Sequence, residues 1–468
     1  MKLAKTAVFG GIIFGLFLAS TVAFSADEGA LSQGMIDSLR ANFKLEGTNR
    51  AIYNAATNNN LSGLAVNREI LDRDNSLFSD QIKTKGITNQ KGSERCWLFA
   101  ALNVLRPAVI EKYKLESFEF SQNYLSFWDK LEKANTYLEF MIELSDKDYL
   151  DREFIELNRK PVAEGGWWGH AVELIEKYGV MPKEAMPESP SSEQSHLMFN
   201  LLCTVVRNDA VILRKMRSEG KPIEAIRAEK SKMLESIYRI LVLALGEPPR
   251  EFAWRYADKD GKPTAPAKHT PQSFYKEIVG VDLSQYVSLG NDPTQPYEKR
   301  FCYDRSRNIF EGADIDYVNI DMETMKSLAR KSLLDKQPVW FGADMGRDQK
   351  ADSGVMAAKI FDYETLFGVQ FAMSKAERIG WRETTANHAM VFLGVDLLDD
   401  KPVKWLVENS WGGDKGRGGY WHMYDSWFDE NVFNVIVRKA YVPEKILKIF
   451  QEPPTKLPPW YPAIQLMK

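Results

Sequence analysis

Cysteine and histidine are both scarce in this chain, and their scarcity removes several kinds of chemistry at once. Among 468 residues there are three cysteines, Cys96, Cys203 and Cys302, and five histidines, His170, His196, His269, His388 and His422. No C-x-x-C, H-x-x-x-H or H-E-x-x-H spacing occurs, so a zinc centre is not expected and no metal ligand is assigned. No cofactor is called for either. Three cysteines cannot all pair internally. Cys203, in Phe199-Asn200-Leu201-Leu202-Cys203, reads as a small apolar residue on a helix, and three free thiols are expected. Low-complexity tracts and short repeats are absent, which argues against a solenoid.

Long apolar runs are confined to the start of the chain. Lys2 and Lys5 precede an uncharged stretch from residue 7 to residue 24, and Ala23, Ser25 and Ala26 follow. That order of charge, apolar run and small residues predicts a cleaved export signal over residues 1–25. Gly10, Gly11, Gly15, Ser20 and Thr21 weaken the same run as a spanning helix, so no stable membrane anchor is expected. Excess charge of one sign is lacking as well. Losing the signal leaves 59 basic against 64 acidic side chains, a net charge of about −5, which argues against a constitutive nucleic-acid partner. The lysine-rich stretch 227–232 reads as a solvated helix face.

What is present suits a soluble protein of one large core or two to three smaller ones: 44% hydrophobic and 27% charged residues. Residues 26–84 read as a polar N-terminal arm packed on the main body, with a turn at Thr57-Asn58-Asn59-Asn60. Residues 85–180 carry an apolar helix beginning at Cys96, its apolar positions Trp97, Ala100, Ala101, Val104 and Leu105 running to Pro107, which is expected to kink or end it. A second helix opens after Gly165-Gly166-Trp167-Trp168-Gly169 and stops at Gly179. Residues 123–160 and 183–245 read as helical insertions, the latter within a segment 181–275. Strand patterns dominate from Val318 onward in a segment 276–445. Residues 446–468 end in a proline-rich, extended arm.

The chemistry concentrates on a few residues. In Gln90-Lys91-Gly92-Ser93-Glu94-Arg95-Cys96 a glutamine precedes a cysteine by six positions. A sulfur at a helix N-terminus meets unpaired N–H groups and the positive end of the dipole, which favour a thiolate. Gln90 and the Cys96 N–H can together hold an oxyanion. Residues 391–395 and 403–407 read as a hairpin turning through Asp399-Asp400-Lys401-Pro402, and pairing centred between Leu398 and Asp399 sets His388 opposite Asn409. The Asn409 carbonyl then fixes the His388 tautomer and leaves the other ring nitrogen for sulfur. Trp411 is expected to shield that bond from water. Gly165 and Gly166 offer an edge without side chains for a substrate backbone. Arg95 is expected to ion-pair or pack, and Glu94 to face solvent.

These residues resemble the papain-like cysteine peptidases, and within them the bleomycin hydrolase and bacterial aminopeptidase C family. The segments that carry the resemblance run from Lys91 to Asn103 around the cysteine and include Glu176-Lys177-Tyr178-Gly179-Val180, Tyr286-Val287-Ser288-Leu289 and Pro338-Val339-Trp340-Phe341-Gly342. Ser374-Lys375-Ala376-Glu377-Arg378, Asn387-His388-Ala389-Met390 and Trp427-Phe428-Asp429-Glu430 continue it. The resemblance implies an α+β, two-lobe papain-like core with helical insertions, which accounts for the 292 residues between Cys96 and His388. It further implies a homohexamer with an internal chamber, and peptide substrates trimmed from their N-termini. The C-terminal arm is then expected in the cleft, its carboxylate meeting the substrate amine, so that Lys468 enters substrate binding. The export signal, Glu94 and the bulky ending Ile464-Gln465-Leu466-Met467-Lys468 depart from the family pattern. An endopeptidase with an open cleft and a chamber-forming binding protein are the alternatives.

Overall fold

The computed structural model describes residues 29–257 and 260–463, which fall into two units, Met1–Leu64 and Ala65–Lys468. The expected signal, residues 1–25, and Lys468 lie outside the described residues. The first unit holds the helices Gln33–Asn42, Gly47–Asn58 and Leu61–Leu64, none with a buried side chain. Thr57 and Asn58 finish the second of these helices instead of opening a turn. Their side chains donate to the carbonyls of Tyr53 and Asn54 one turn back, both at 2.7 Å.

In the second unit, twelve strands among the described residues join one sheet. Its centre runs in the order Tyr286–Gly290, Val432–Arg438, Val339–Ala343, His388–Leu398, Lys401–Glu408 and Tyr420–Tyr424. Tyr286–Gly290 and Lys299–Tyr303 precede Val318, so the sheet begins earlier than the apolar pattern indicates. Strand His388–Leu398 divides two cores. Ala389, Val391 and Leu393 pack with the helix Cys96–Tyr113, while Met390, Phe392 and Val395 pack with the helix Met322–Leu334, Trp405 and Phe428. The alternation through Leu393 is the period-two pleat of a strand buried on both faces, and the irregularity between Phe392 and Gly394 turns Val395 to the second core.

The helix Cys96–Tyr113 continues through Pro107. Twelve of its side chains are buried, and that burial outweighs the single backbone bond proline removes. The inserted helices His196–Ser218 and Ile223–Leu245 pack on Gln122–Glu143, with Leu202, Val206, Leu213, Ile237 and Leu241 fully buried. The segment 181–275 is not helical throughout: after Leu245 it forms the ribbon Phe252–Trp254 and Ala267–His269. Of the predicted N-terminal arm, the part after Leu64 joins the sheet, Asp80 and Gln81 pairing with Val395 and Gly394. All three cysteines are free and buried.

Candidate active site

Cys96 opens its helix with a 5% exposed side chain. The backbone N–H groups of Ala389 and Trp97 point at its sulfur, which puts the thiol at the residue following His388. Nε2 of His388 lies 2.8 Å from Asn409 Oδ1, and the Ser410 N–H donates to the same oxygen at 2.7 Å. Two N–H groups on one atom settle the orientation of the amide. Since that oxygen can only accept, Nε2 carries the proton and Nδ1 keeps its lone pair. The Trp411 ring lies over the imidazole, centroids 4.8 Å apart. The structure places His388, Asn409 and Trp411 in contact, and sets Cys96 against Ala389, the residue after His388.

The register that joins them differs from expectation. Leu398 pairs with Lys401, and Val391 with Glu408, so the turn is the two residues Asp399 and Asp400, both at positive φ (49° and 61°). Lys401 and Pro402 belong to the strand. The pairing shifts by two residues, which preserves the face, and Asn409 follows the strand's end and reaches His388 from a diagonal position. Irregularities between Phe392 and Gly394 and between Asp396 and Leu397 fall on opposite strands and cancel each other.

Gln90 is clamped on both ends. Its Nε2 donates to Ser93 O at 2.6 Å, its Oε1 accepts from Ser410 Oγ at 2.7 Å, and its backbone N–H donates to Ser410 O at 2.8 Å. One Nε2 hydrogen remains uncommitted. Ser410 thus links Gln90 to Asn409, a role the sequence reading missed although Ser410 lies inside the Asn409-Ser410-Trp411 motif. Arg95 forms the expected ion pair, with Glu188 at 2.9 Å, and the Glu94 side chain is 60% exposed.

Burial opposes charge at both reacting groups. It pushes the Cys96 thiol up to about 11, more than the backbone N–H groups lower it, and Glu94 adds slightly to the rise. Burial likewise pushes the His388 imidazole down to about 4, with Asn409 opposing. At this sulfur burial works against the helix N-terminus and favours the protonated thiol.

Gly165 and Gly166 precede the helix Trp168–Tyr178. A Cβ on Gly166 would lie 2.6 Å from the Trp97 ring, so glycine is required there by packing whatever else the edge does. The C-terminal arm adds Thr455–Leu457 as a parallel strand against Phe301–Tyr303. Its last described residue, Ala463, is buried in a small cavity with Trp167, Gly290, Phe433 and Asn434. Gly290, Asn434, Gly342 and Ala389 align across four neighbouring strands. At about 4.8 Å per strand, Asn434 is about 10 Å from Ala389. No cluster of three potential metal ligands occurs among the described residues.

A thiol at a helix N-terminus, packed against a strand that begins with an asparagine-oriented imidazole, with helices on one side and a β-sheet on the other, defines a papain-like cysteine peptidase. The profile of the Peptidase C1-like family matches residues 30–463, and the chain belongs to that family. It is 41% identical to Aminopeptidase C of Lactobacillus delbrueckii subsp. lactis, over 82% of this chain and 87% of that protein. It is 36% identical to bleomycin hydrolase of Rattus norvegicus, over 87% of this chain and 93% of that protein. The crystal structure of PepW from Lactobacillus rhamnosis HN001 superposes with a TM-score of 0.91 at 38% identity, covering 93% of this chain and 99% of the other.

Proposed function

We propose that this cysteine peptidase is an exported aminopeptidase that removes N-terminal residues from peptides through an acyl-enzyme. Cys96 Sγ attacks the scissile carbonyl carbon as its proton passes to Nδ1 of His388. The Cys96 N–H and the free Nε2 hydrogen of Gln90 hold the oxyanion. His388 then gives its proton to the departing amine, and water, deprotonated by the same imidazole, releases the acyl group. Asn409 keeps the ring turned throughout. The bond from His388 Nε2 to Asn409 Oδ1, with the thiol at Ala389, carries this reading.

The burial of the C-terminal arm as far as Ala463 supports exopeptidase action, since an arm continuing into the cleft would admit only a short N-terminal piece. Exposed Leu197, Leu201, Val211 and Leu243 on the inserted helices support the homohexamer that the resemblance implies. Cys96→Ser should abolish hydrolysis of aminoacyl amide reporters, whereas a chelator should leave it unchanged; a Cys96→Ser enzyme with wild-type turnover sinks the assignment. Export is checked by the intact mass of protein recovered outside the cytoplasm, which should begin near residue 26.

A further inference from the structure

The loop carrying Gly165 and Gly166 rests on a buried ionic cluster that the hydrolytic steps do not use. Lys133, on the helix Gln122–Glu143, donates from Nζ to the carbonyls of Ala163 and Gly165, both at 2.8 Å. It also pairs with Asp129 at 2.9 Å. The carbonyl between them, that of Glu164, accepts from Trp97 Nε1 at 2.8 Å. Three consecutive carbonyls are thereby held inward. The Glu164 carboxylate is tied as well, by Ser195 Oγ at 2.6 Å.

The next residue is the opposite. Gly166 is buried, yet its N–H and C=O form no hydrogen bond among the described residues. A buried backbone pair with no partner among the described residues is open to pairing with a bound peptide backbone. The arrangement also works against a cation: Lys133 is 9% exposed, and burial lowers its ammonium to about 8 despite Asp129 beside it. A buried charge spent on backbone carbonyls does little for stability and much for geometry. Trp97 follows Cys96 directly, so its indole sets loop and sulfur in one register.

We propose that Lys133 is a positioning residue for substrate: by holding the Ala163 and Gly165 carbonyls inward, it fixes Gly166 as the edge on which a peptide backbone pairs beside Cys96. This rests on the thiol-peptidase reading. The test compares Lys133→Gln and Trp97→Phe in the full-length enzyme. KM and kcat are measured with a peptide substrate, and Cys96 alkylation by iodoacetamide, which needs no backbone edge, is timed separately.

KM should rise about tenfold in Lys133→Gln and by a smaller factor in Trp97→Phe, while alkylation stays within about twofold of wild type. An unchanged KM, or alkylation falling in parallel with peptide turnover, overturns the proposal. Trp97→Phe keeps the ring against Gly166, so it decides the matter should Lys133→Gln fail to fold. Failure of the wild-type thiol to react at Cys96 would instead strike the thiol-peptidase reading.

Discussion

The Asn409 amide serves His388 because it cannot turn: the Ser410 N–H and Nε2 both claim Oδ1, and the Trp411 ring covers the imidazole. The proton on Nε2 is therefore settled before substrate arrives, and in the proposed mechanism Nδ1 is the atom left to receive the thiol proton. On the proposed mechanism, removing His388 takes away the sulfur's proton acceptor. Its thiol, pushed up to about 11 by burial, then holds its proton until the solution approaches that value. In His388→Ala, Cys96 alkylation by iodoacetamide should be slow at pH 7 and rise about tenfold per pH unit toward pH 10. The wild-type rate should be far higher at neutrality and flatter over the same range. Equal rates for the two enzymes at pH 7 would mean that sulfur ionises without the imidazole. These residues were legible in the sequence because their types are rare: with five histidines and three cysteines, few pairings can be built.

The hairpin His388–Leu398 and Lys401–Glu408 shows where legibility ends. Both strands are written in their apolar alternation, but the register depends on how many residues turn. A four-residue Asp399–Pro402 loop and a two-residue Asp399–Asp400 loop suit the same pattern. The tight turn is adopted because a type I′ geometry matches the twist of the strands, although it forces two aspartates to positive φ. Lys133 escaped the reading for a related reason, since its partners Ala163 and Gly165 lie about 30 residues away and no local pattern announces them. The arm's pairing with Phe301–Tyr303 is similarly non-local. At the turn, Asp400→Gly should stabilise the protein by about 0.5–1 kcal/mol, because glycine adopts positive φ without the Cβ penalty. The Arg330–Asp400 pair it loses is 79% exposed on the aspartate side, so that loss is small. Urea unfolding reads the gain, with kcat unchanged. A loss of stability would show that Asp400 contributes through its side chain more than its backbone costs.

At the scale of the whole molecule, the proposed aminopeptidase action assigns the choice of substrate to the C-terminal arm, whose described part is held at several separate points. Thr455–Leu457 pairs with the sheet, and Arg382 donates to Trp460 O at 3.1 Å. The Arg152 guanidinium lies 4.6 Å from the Trp460 ring centroid. Tyr461 donates to Asp292 at 2.6 Å and meets Thr294 Oγ1 at 2.8 Å. Asp292 is buried, so the Tyr461 hydroxyl relieves a carboxylate that would otherwise lack that donor. Removing it costs the closed arm about 1.5–3 kcal/mol. The open population should therefore grow by about 10- to 100-fold in Tyr461→Phe. If a closed arm excludes blocked peptides, cleavage of an N-acetylated peptide rises by the same factor. Cleavage of its free-amine counterpart holds steady or falls, because the open form no longer presents the arm's carboxylate to the ammonium. The measurement is the ratio of the two rates in wild type, in Tyr461→Phe and in a chain lacking residues 458–468, which should show the largest ratio. A ratio that stays constant across all three would mean that the arm seals the surface without selecting the substrate. The preference for free N-termini would then have to arise in the cleft itself.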